Sequence, residues 1–417
     1  MQYGLIGEHL SHSFSKEIHT ALAGYPYILK EIPKDGVETF MREKAFSGIN
    51  VTIPYKQTVM PFLDEIDPAA KVIGAVNTVV NRDKRLYGYN TDFGGMAALI
   101  QRMGVSLTNK KVLILGTGGT SNTAQAVATH LGAKSIFKVS RTAGDNVLTY
   151  GEALITHTDT DILINTTPCG MFGNASGYPI DPQAFPHLSG VIDAIYHPLR
   201  SALVLRAREM GVPAQGGLYM LVMQAALAAQ HFTGKTWDTD TIHTVYYNTL
   251  KSKENIVLIG MPASGKSTVG KALAAKLSRP FIDTDEEIIK RAGCDIPTIF
   301  KTKGEQAFRD LESAVIADVA TQSGAVIATG GGAILRCENV HALRANGRLL
   351  FLDRPLAQLI PTNDRPLASS IDAIRERYNE RYPLYTKTAD VTVPADGTVA
   401  EVTDMTLAAF ETCVKEG

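Results

Sequence analysis

Residues 255–268 read NIVLIGMPASGKST. The run NIVLI has the length and apolar content of a buried strand. Gly260-Met261-Pro262-Ala263-Ser264-Gly265-Lys266-Ser267 follows it at once in the spacing G-x-x-x-x-G-K-[ST], and VGKALAAKL then reads as a helix. Strand, glycine loop and helix in that order begin a parallel α/β unit. The chemistry of the spacing is specific. Backbone amides of the loop wrap a β-phosphate, Lys266 reaches the β and γ oxygens, and the Ser267 hydroxyl ligates Mg²⁺, with Thr268 next to it at the mouth of the helix. The loop is therefore expected to bind the phosphates of a nucleotide and Mg²⁺ through Gly260, Ser264, Gly265, Lys266, Ser267 and Thr268.

Two further β-rich runs stand out, KVLILG at 111–116 and LLFLD at 349–353. The first is followed by Gly116-Thr117-Gly118-Gly119, a loop that lets the backbone approach a pyrophosphate at a helix N-terminus. This loop carries less information than the other, because a dinucleotide fingerprint has glycine where Ser121 stands and glycine turns before helices are also purely conformational. The next strand, KSIFKVS, ends in Ser140-Arg141-Thr142. An NAD site ordinarily ends this strand with an acidic residue for the ribose hydroxyls, whereas a guanidinium suits a 2′-phosphate and favours NADP. The competing reading of Arg141 is a solvated surface arginine. Two nucleotide-binding beginnings without internal repetition predict an α/β chain of two different nucleotide-binding folds. LVMQAALAAQHFTG reads as an amphipathic helix between them, and the polar KSKEN at 251–255 as the junction.

A length of 417 residues exceeds what one core serves. Lys plus Arg number 41 against 42 Asp plus Glu, a net charge of −1, which supports neither a nucleic-acid nor a membrane-surface partner. The start MQYGLIGEHLSHS has no basic stretch leading into an apolar run, so a cytoplasmic protein is expected. The cysteines at 169, 294, 337 and 413 form no C-x-x-C pair, which argues for reduced thiols over a disulfide framework or a zinc site.

Around the first glycine loop lie SHSFS at 11–15, NVTIPYK at 50–56, AVNT at 75–78, GYNTD at 88–92, NTTPCGM at 165–171, DAIYHP at 193–198 and GGLYMLVMQAA at 216–226. In this order they resemble the shikimate dehydrogenase family. The resemblance implies a substrate domain, residues 1–92 and 218–250, around a Rossmann-like NADP-binding domain, 93–217. It makes Lys56 and Asp92 the catalytic pair at the carbonyl of 3-dehydroshikimate. A lysine ammonium can stabilise and protonate the oxygen on which hydride transfer leaves charge, while a carboxylate orients it. Ser13 and Ser15 would hold the substrate carboxylate, and Thr52, Asn77, Tyr196 and Gln224 the ring hydroxyls. Asn and Gln suit hydroxyls because each both donates and accepts. Gly116, Gly118, Gly119, Ser140, Arg141, Thr142 and Gly217 would bind NADP(H). The sequence departs from the family in Lys16, where proline usually follows the serine motif, and in Gly144 and Asp145, where a second arginine is frequent; weaker NADP preference is expected from the latter.

Beyond the second loop, FIDTDEEI at 281–288, GEQAFRDLE at 304–312, ATGGGA at 328–333, DRPL at 364–367 and RYPLY at 381–385 resemble shikimate kinase. The implied domain, 255–417, is a P-loop kinase of the nucleoside-monophosphate-kinase-like type with a parallel sheet, joined by a linker at 251–254. By that resemblance Asp283 joins Ser267 at the metal, Asp285 is the base at the attacking hydroxyl, and Arg309 and Arg381 clamp the shikimate carboxylate. Gly331 and Gly332 let the backbone approach it, and Arg365 belongs to the lid. Only Ile-Pro-Thr-Asn-Asp separates Leu359 from Arg365, so the lid is short and lacks the arginine that often packs on adenine.

The two resemblances imply successive reactions: NADPH reduces 3-dehydroshikimate to shikimate, and ATP phosphorylates its 3-hydroxyl. Small-molecule partners and a monomer or homodimer are expected. The alternatives are a kinase half kept as an ATP-binding or sensing module, and an NAD-linked quinate or shikimate dehydrogenase of catabolism, which Arg141 and the fused kinase both disfavour.

Overall fold

The computed structural model describes residues 1–11, 13–174, 177–359 and 371–416, and its internal contacts fall into two compact units, Met1–Thr249 and Leu250–Gly417. The first unit contains two sheets. One is mixed, built from β1 (Tyr3–Gly7), β2 (Tyr27–Glu31), β3 (Gly48–Val51), β4 (Glu65–Ile66), β5 (Thr78–Arg82) and β6 (Arg85–Tyr89) in the order β2-β1-β3-β5-β6-β4. β1 and β3 are parallel, β5 runs antiparallel to β3, and β5 and β6 close a hairpin in which Arg82 faces Arg85. The two turn residues, Asp83 and Lys84, both take positive φ, at 50° and 64°, as the tight right-twisted hairpin requires. Ile6, Met41, Ile49, Val79 and Leu86, all without solvent exposure, fill the core beneath it.

The second sheet of this unit is wholly parallel: β7 (Lys111–Leu115), β8 (Ser135–Ser140), β9 (Val147–Thr149), β10 (Ile162–Asn165), β11 (Gly190–Asp193) and β12 (Ala214–Gln215), ordered β12-β11-β10-β7-β8-β9. β7 and β10 are buried along nearly their whole length, which is why they read as continuous apolar runs rather than as alternation. The strand order reverses at β7, so the crevice beyond its C-terminal end is where a parallel sheet of this kind takes a ligand.

The second unit has one parallel sheet, β14-β15-β13-β16-β17, from β13 (Asn255–Ile259), β14 (Phe281–Asp283), β15 (Val326–Ala328), β16 (Gly347–Asp353) and β17 (Val391–Pro394). The reversal falls at β13, which places the glycine loop of residues 260–265 at the switch point. The α/β class, the Rossmann-like sheet and the parallel P-loop sheet are thus as expected.

Two expectations need correction. The helix holding LVMQAALAAQHFTG spans Leu218–Thr233 and is not amphipathic in use: among residues 218–229 none is exposed, because it packs between the helices Ser15–Ala23 and Asp92–Arg102 and the mixed sheet. Its many alanines permit that close packing, and a helix apolar all round is buried all round. The stretch 251–254, where few residues were expected to pack, is partly packed. The helix Thr239–Lys253 runs through it, and Glu254 is fully buried, accepting an ion pair from Arg348 at 2.9 Å. Lysine is a good helix former, and the helix runs on to Lys253 through Lys251.

Candidate active sites

The C-terminal ends of β1 and β3 and the start of β5 share one edge of the mixed sheet. Thr52 follows β3 and Asn77 precedes β5, and the Val51 N–H donates to the Asn77 carbonyl at 2.8 Å. The Asn77 amide donates to Thr91 Oγ1 at 3.0 Å and to Gln224 Oε1 at 3.4 Å, while its oxygen accepts from the Thr91 N–H at 2.7 Å. Three distant segments are thereby pinned together. Thr91 was not foreseen, since a threonine inside GYNTD has no signature of its own.

Beside this knot Lys56 Nζ donates to Asp92 Oδ2 at 2.6 Å, with side-chain exposures of 15% and 8%. Asp92 opens the helix Asp92–Arg102, where free amides favour a carboxylate. Ser13 is half-buried, Ser15 is buried at the start of its helix despite Lys16, and the Ser13 Oγ accepts from the Ser15 N–H at 3.3 Å. Burial pushes the Tyr196 phenol up to about 12 against a hydrogen bond with Ser13, and its ring lies 5.2 Å from that of Phe14. Thr52 packs over the C-terminal end of β1: a Cβ on Gly7 would lie 2.7 Å from its methyl group.

The cofactor cradle rises from β7. Gly116 has φ +112°, and a side chain there would begin 2.7 Å from Thr166 Oγ1, so glycine is required twice over. Among the described residues Gly118 caps the helix Gly119–His130 without a side-chain partner and with nothing near where its Cβ would be, which leaves the amides clear for a pyrophosphate. The residue out of pattern, Ser121, is fully buried and donates to the Gly116 carbonyl at 2.7 Å, fixing the loop from beneath. A Cβ on Gly119 would lie 3.8 Å from Lys56 Cδ. The glycine loop and the Lys56–Asp92 pair are therefore neighbours. Ser140 is half-buried, and Arg141 and Thr142 are exposed at the end of β8, where a 2′-phosphate could reach them. Gly217 has a backbone reason of its own: a Cβ there would sit 2.3 Å from the Ala194 carbonyl oxygen.

Two strands from β7, at the C-terminal end of β11, lies a buried carboxyl that sequence reading passed over. Asp193, fully buried at the end of β11, accepts from the Asn165 amide and the Ile195 N–H, each at 3.0 Å, and from the Ser201 hydroxyl at 2.5 Å. Burial pushes it up to about 6 even so. Its sequence signal was the pairing of NTTPCGM with DAIYHP, strings used only as family markers.

In the second unit, Ser267 Oγ donates to Asp283 Oδ2 at 2.5 Å, and Asp283 Oδ1 accepts from the Asp285 N–H at 3.0 Å. A hydroxyl and a carboxylate so close make a fitting oxygen pair for Mg²⁺. Lys266, 5% exposed, donates to the carbonyls of Gly260 and Met261 at 2.9 and 2.8 Å. Ser264 is buried behind the loop and Thr268 is exposed. The acceptor side is assembled around the glycine triplet. Side chains at Gly330, Gly331 and Gly332 would begin 2.6 Å from Asp285 Oδ1, 2.8 Å from Pro262 Cδ and 2.0 Å from Arg309 Nη1. Arg381 donates to the Gly331 carbonyl at 3.1 Å. Arg309 is held by Glu312 at 2.8 Å and Glu305 at 3.2 Å, on the helical segment that resumes after the break at Gly304. Burial raises the Glu312 carboxyl above the usual range against the pull of Arg309. Glu312 was missed because a glutamate on a helix ordinarily faces water. Arg365 and the short lid lie outside the described residues.

No helix among the described residues is long and apolar enough to cross a membrane. A family model for shikimate kinase matches residues 262–411, and one for the shikimate dehydrogenase substrate binding domain matches residues 5–79. A shikimate dehydrogenase (NADP(+)) of Clostridium beijerinckii is 35% identical over 270 residues, 60% of this chain and 99% of the relative. Among solved structures, shikimate dehydrogenase 1 from Peptoclostridium difficile aligns with a TM-score of 0.56 at 33% identity, over 60% of this chain and 98% of that one. The shikimate 5-dehydrogenase of Thermus thermophilus, in complex with NADP(H) and shikimate, aligns with a TM-score of 0.54 at 27% identity, over 60% and 99%.

Proposed function

We propose residue roles for a chain that belongs to the shikimate dehydrogenase family and carries a shikimate kinase domain behind it. The chain is a bifunctional shikimate-pathway enzyme: an NADP-dependent reductase of 3-dehydroshikimate and an ATP-dependent kinase of shikimate. When bound, NADPH supplies the hydride and Mg²⁺ neutralises phosphate charge. In the first site the Lys56 ammonium protonates the oxygen that hydride transfer makes anionic, and Asp92 holds the lysine in line. Asn77, Thr52, Tyr196 and Gln224 take the ring hydroxyls, Ser13 and Ser15 the carboxylate. Arg141 with Ser140 and Thr142 takes the 2′-phosphate, and Gly116, Gly118, Gly119 and Gly217 shape the cofactor cleft. The observation that supports this half is the 2.6 Å Lys56–Asp92 pair against the cradle at Gly119.

In the second site Asp285 accepts the proton of the attacking 3-hydroxyl, and Arg309 and Arg381 clamp the shikimate carboxylate over Gly331 and Gly332. Ser267 and Asp283 hold the metal, Lys266 turns from its own loop carbonyls to the phosphates, and Arg365 closes from the lid. The convergence of Asp285 and Arg309 on the glycine triplet, against Pro262 of the phosphate loop, supports phosphoryl transfer to an acidic acceptor over ATP binding alone. The domain limits proposed are 1–92 with 218–250 for substrate, 93–217 for NADP and 255–417 for the kinase. The enzyme is placed in the cytoplasm, where NADPH and ATP are both at hand, as a monomer or homodimer. The test is a pair of variants of the full chain. Lys56→Ala should lose reduction of 3-dehydroshikimate yet phosphorylate supplied shikimate, and Lys266→Ala should do the reverse; loss of both activities in either variant would overturn the assignment.

A further inference from the structure

Directly after β16, whose residue Phe351 pairs with Ile259 at the end of β13, stands Arg354. Parallel pairing brings the end of β16 against the phosphate loop: a side chain at Gly260 would begin 2.9 Å from the Leu352 carbonyl oxygen. One at Gly265 would begin 3.8 Å from Arg354 Nη1, with only Val269 Cγ2, at 4.0 Å, also near among the described residues. Gly265 takes φ +94°, so its Cβ direction is left open beside the amides that wrap phosphate. Arg354 Nε is buried and has no hydrogen-bond partner among the described residues. The neighbouring carboxylate is engaged elsewhere, since Asp353 accepts from the Tyr382 hydroxyl at 3.0 Å. A half-buried guanidinium with donors to spare, set at the rim of an anion-binding loop, is suited to paired hydrogen bonds with phosphate oxygens.

We propose that Arg354 is a nucleotide-binding residue of the kinase half, contacting the ATP phosphates from the β16 side of the loop, opposite the metal pair Ser267 and Asp283. This rests on the kinase reading given above. Its role is recognition of the phosphate chain, not of the base, and it supplies a second fixed positive charge beside Lys266.

The test uses the full chain with Arg354→Met and Arg354→Lys. The KM for ATP and the dissociation constant for ADP with Mg²⁺ should rise about tenfold or more in the methionine variant, the loss expected for charge-assisted hydrogen bonds, with the lysine variant between it and the parent. Pyrophosphate should weaken as an inhibitor competing with ATP, while adenosine should not. The KM for shikimate and the reduction of 3-dehydroshikimate should be unchanged, which excludes a folding defect. Unaltered ADP affinity, or equal weakening of adenosine and pyrophosphate, would overturn the proposal while leaving the kinase reading intact. A parent chain that neither binds ADP nor phosphorylates shikimate would overturn both.

Discussion

If Arg309 holds the shikimate carboxylate as proposed, replacing Gly332 by alanine should weaken shikimate binding without unfolding the kinase domain. An added Cβ would lie 2.0 Å from Arg309 Nη1 and 2.6 Å from both Cζ and Nη2. Comfortable contact needs roughly 3.5 Å, so the guanidinium must retreat by about 1.5 Å. The backbone need not move, because the clashing atoms end a flexible side chain. The retreat costs function because Arg309 is pinned to Glu312 at 2.8 Å and Glu305 at 3.2 Å and cannot shift with its geometry intact. Losing charge-assisted hydrogen bonds to the substrate carboxylate is worth about 1.5–3 kcal/mol, or roughly a 10- to 150-fold rise in KM for shikimate. Initial rates with shikimate varied at saturating ATP read this directly. The KM for ATP and the reductase rate of the same sample are internal controls. A shikimate KM within about twofold of the parent would refute the placement of Arg309 at the substrate.

Asp92→Asn removes the charge that orients Lys56, 2.6 Å away, and should lower the reductase kcat about 10²-fold while phosphorylation continues, as stopped-time product analysis would show. Arg141→Ala should raise the KM for NADPH about tenfold and leave that for NADH nearly unchanged, which a comparison of the two cofactors measures. Asp193 titrates at about 6 in the folded state against an ordinary 3.8, so between these values the folded chain holds a proton that the unfolded chain has released. Stability from this group is therefore full at low pH and lost as pH rises toward 6, on the order of 3 kcal/mol. Asp193→Asn should flatten that slope and raise the thermal midpoint of the dehydrogenase half at neutral pH, measured by unfolding scans across pH.

Both nucleotide sites were legible because strand, glycine loop and helix are contiguous and each glycine answers a local demand. Gly116 needs positive φ, and Gly265 needs it again. Lys56 and Asp92, by contrast, are ordinary charges until the fold joins them, and only the strings around them pointed to a site. What stayed hidden depends on tertiary partners. Glu312 is invisible as a buried acid until Arg309 is seen to cover it, Thr91 until Asn77 reaches it, and Ser121 until its hydroxyl is found under Gly116. The helix Leu218–Thr233 was misread for the same reason: periodicity reports one apolar face, but alanine is small enough to be buried on any face. The packing at 251–254 was hidden because polarity there reflects ion pairing, as Glu254 with Arg348 shows, rather than solvent.

The central claim is that one chain holds two working catalysts in sequence. Purified protein given 3-dehydroshikimate, NADPH, ATP and Mg²⁺, with products resolved by mass, tests it most directly. The account predicts loss of NADPH and accumulation of shikimate 3-phosphate. Shikimate accumulating unphosphorylated, with ATP unconsumed, would contradict it.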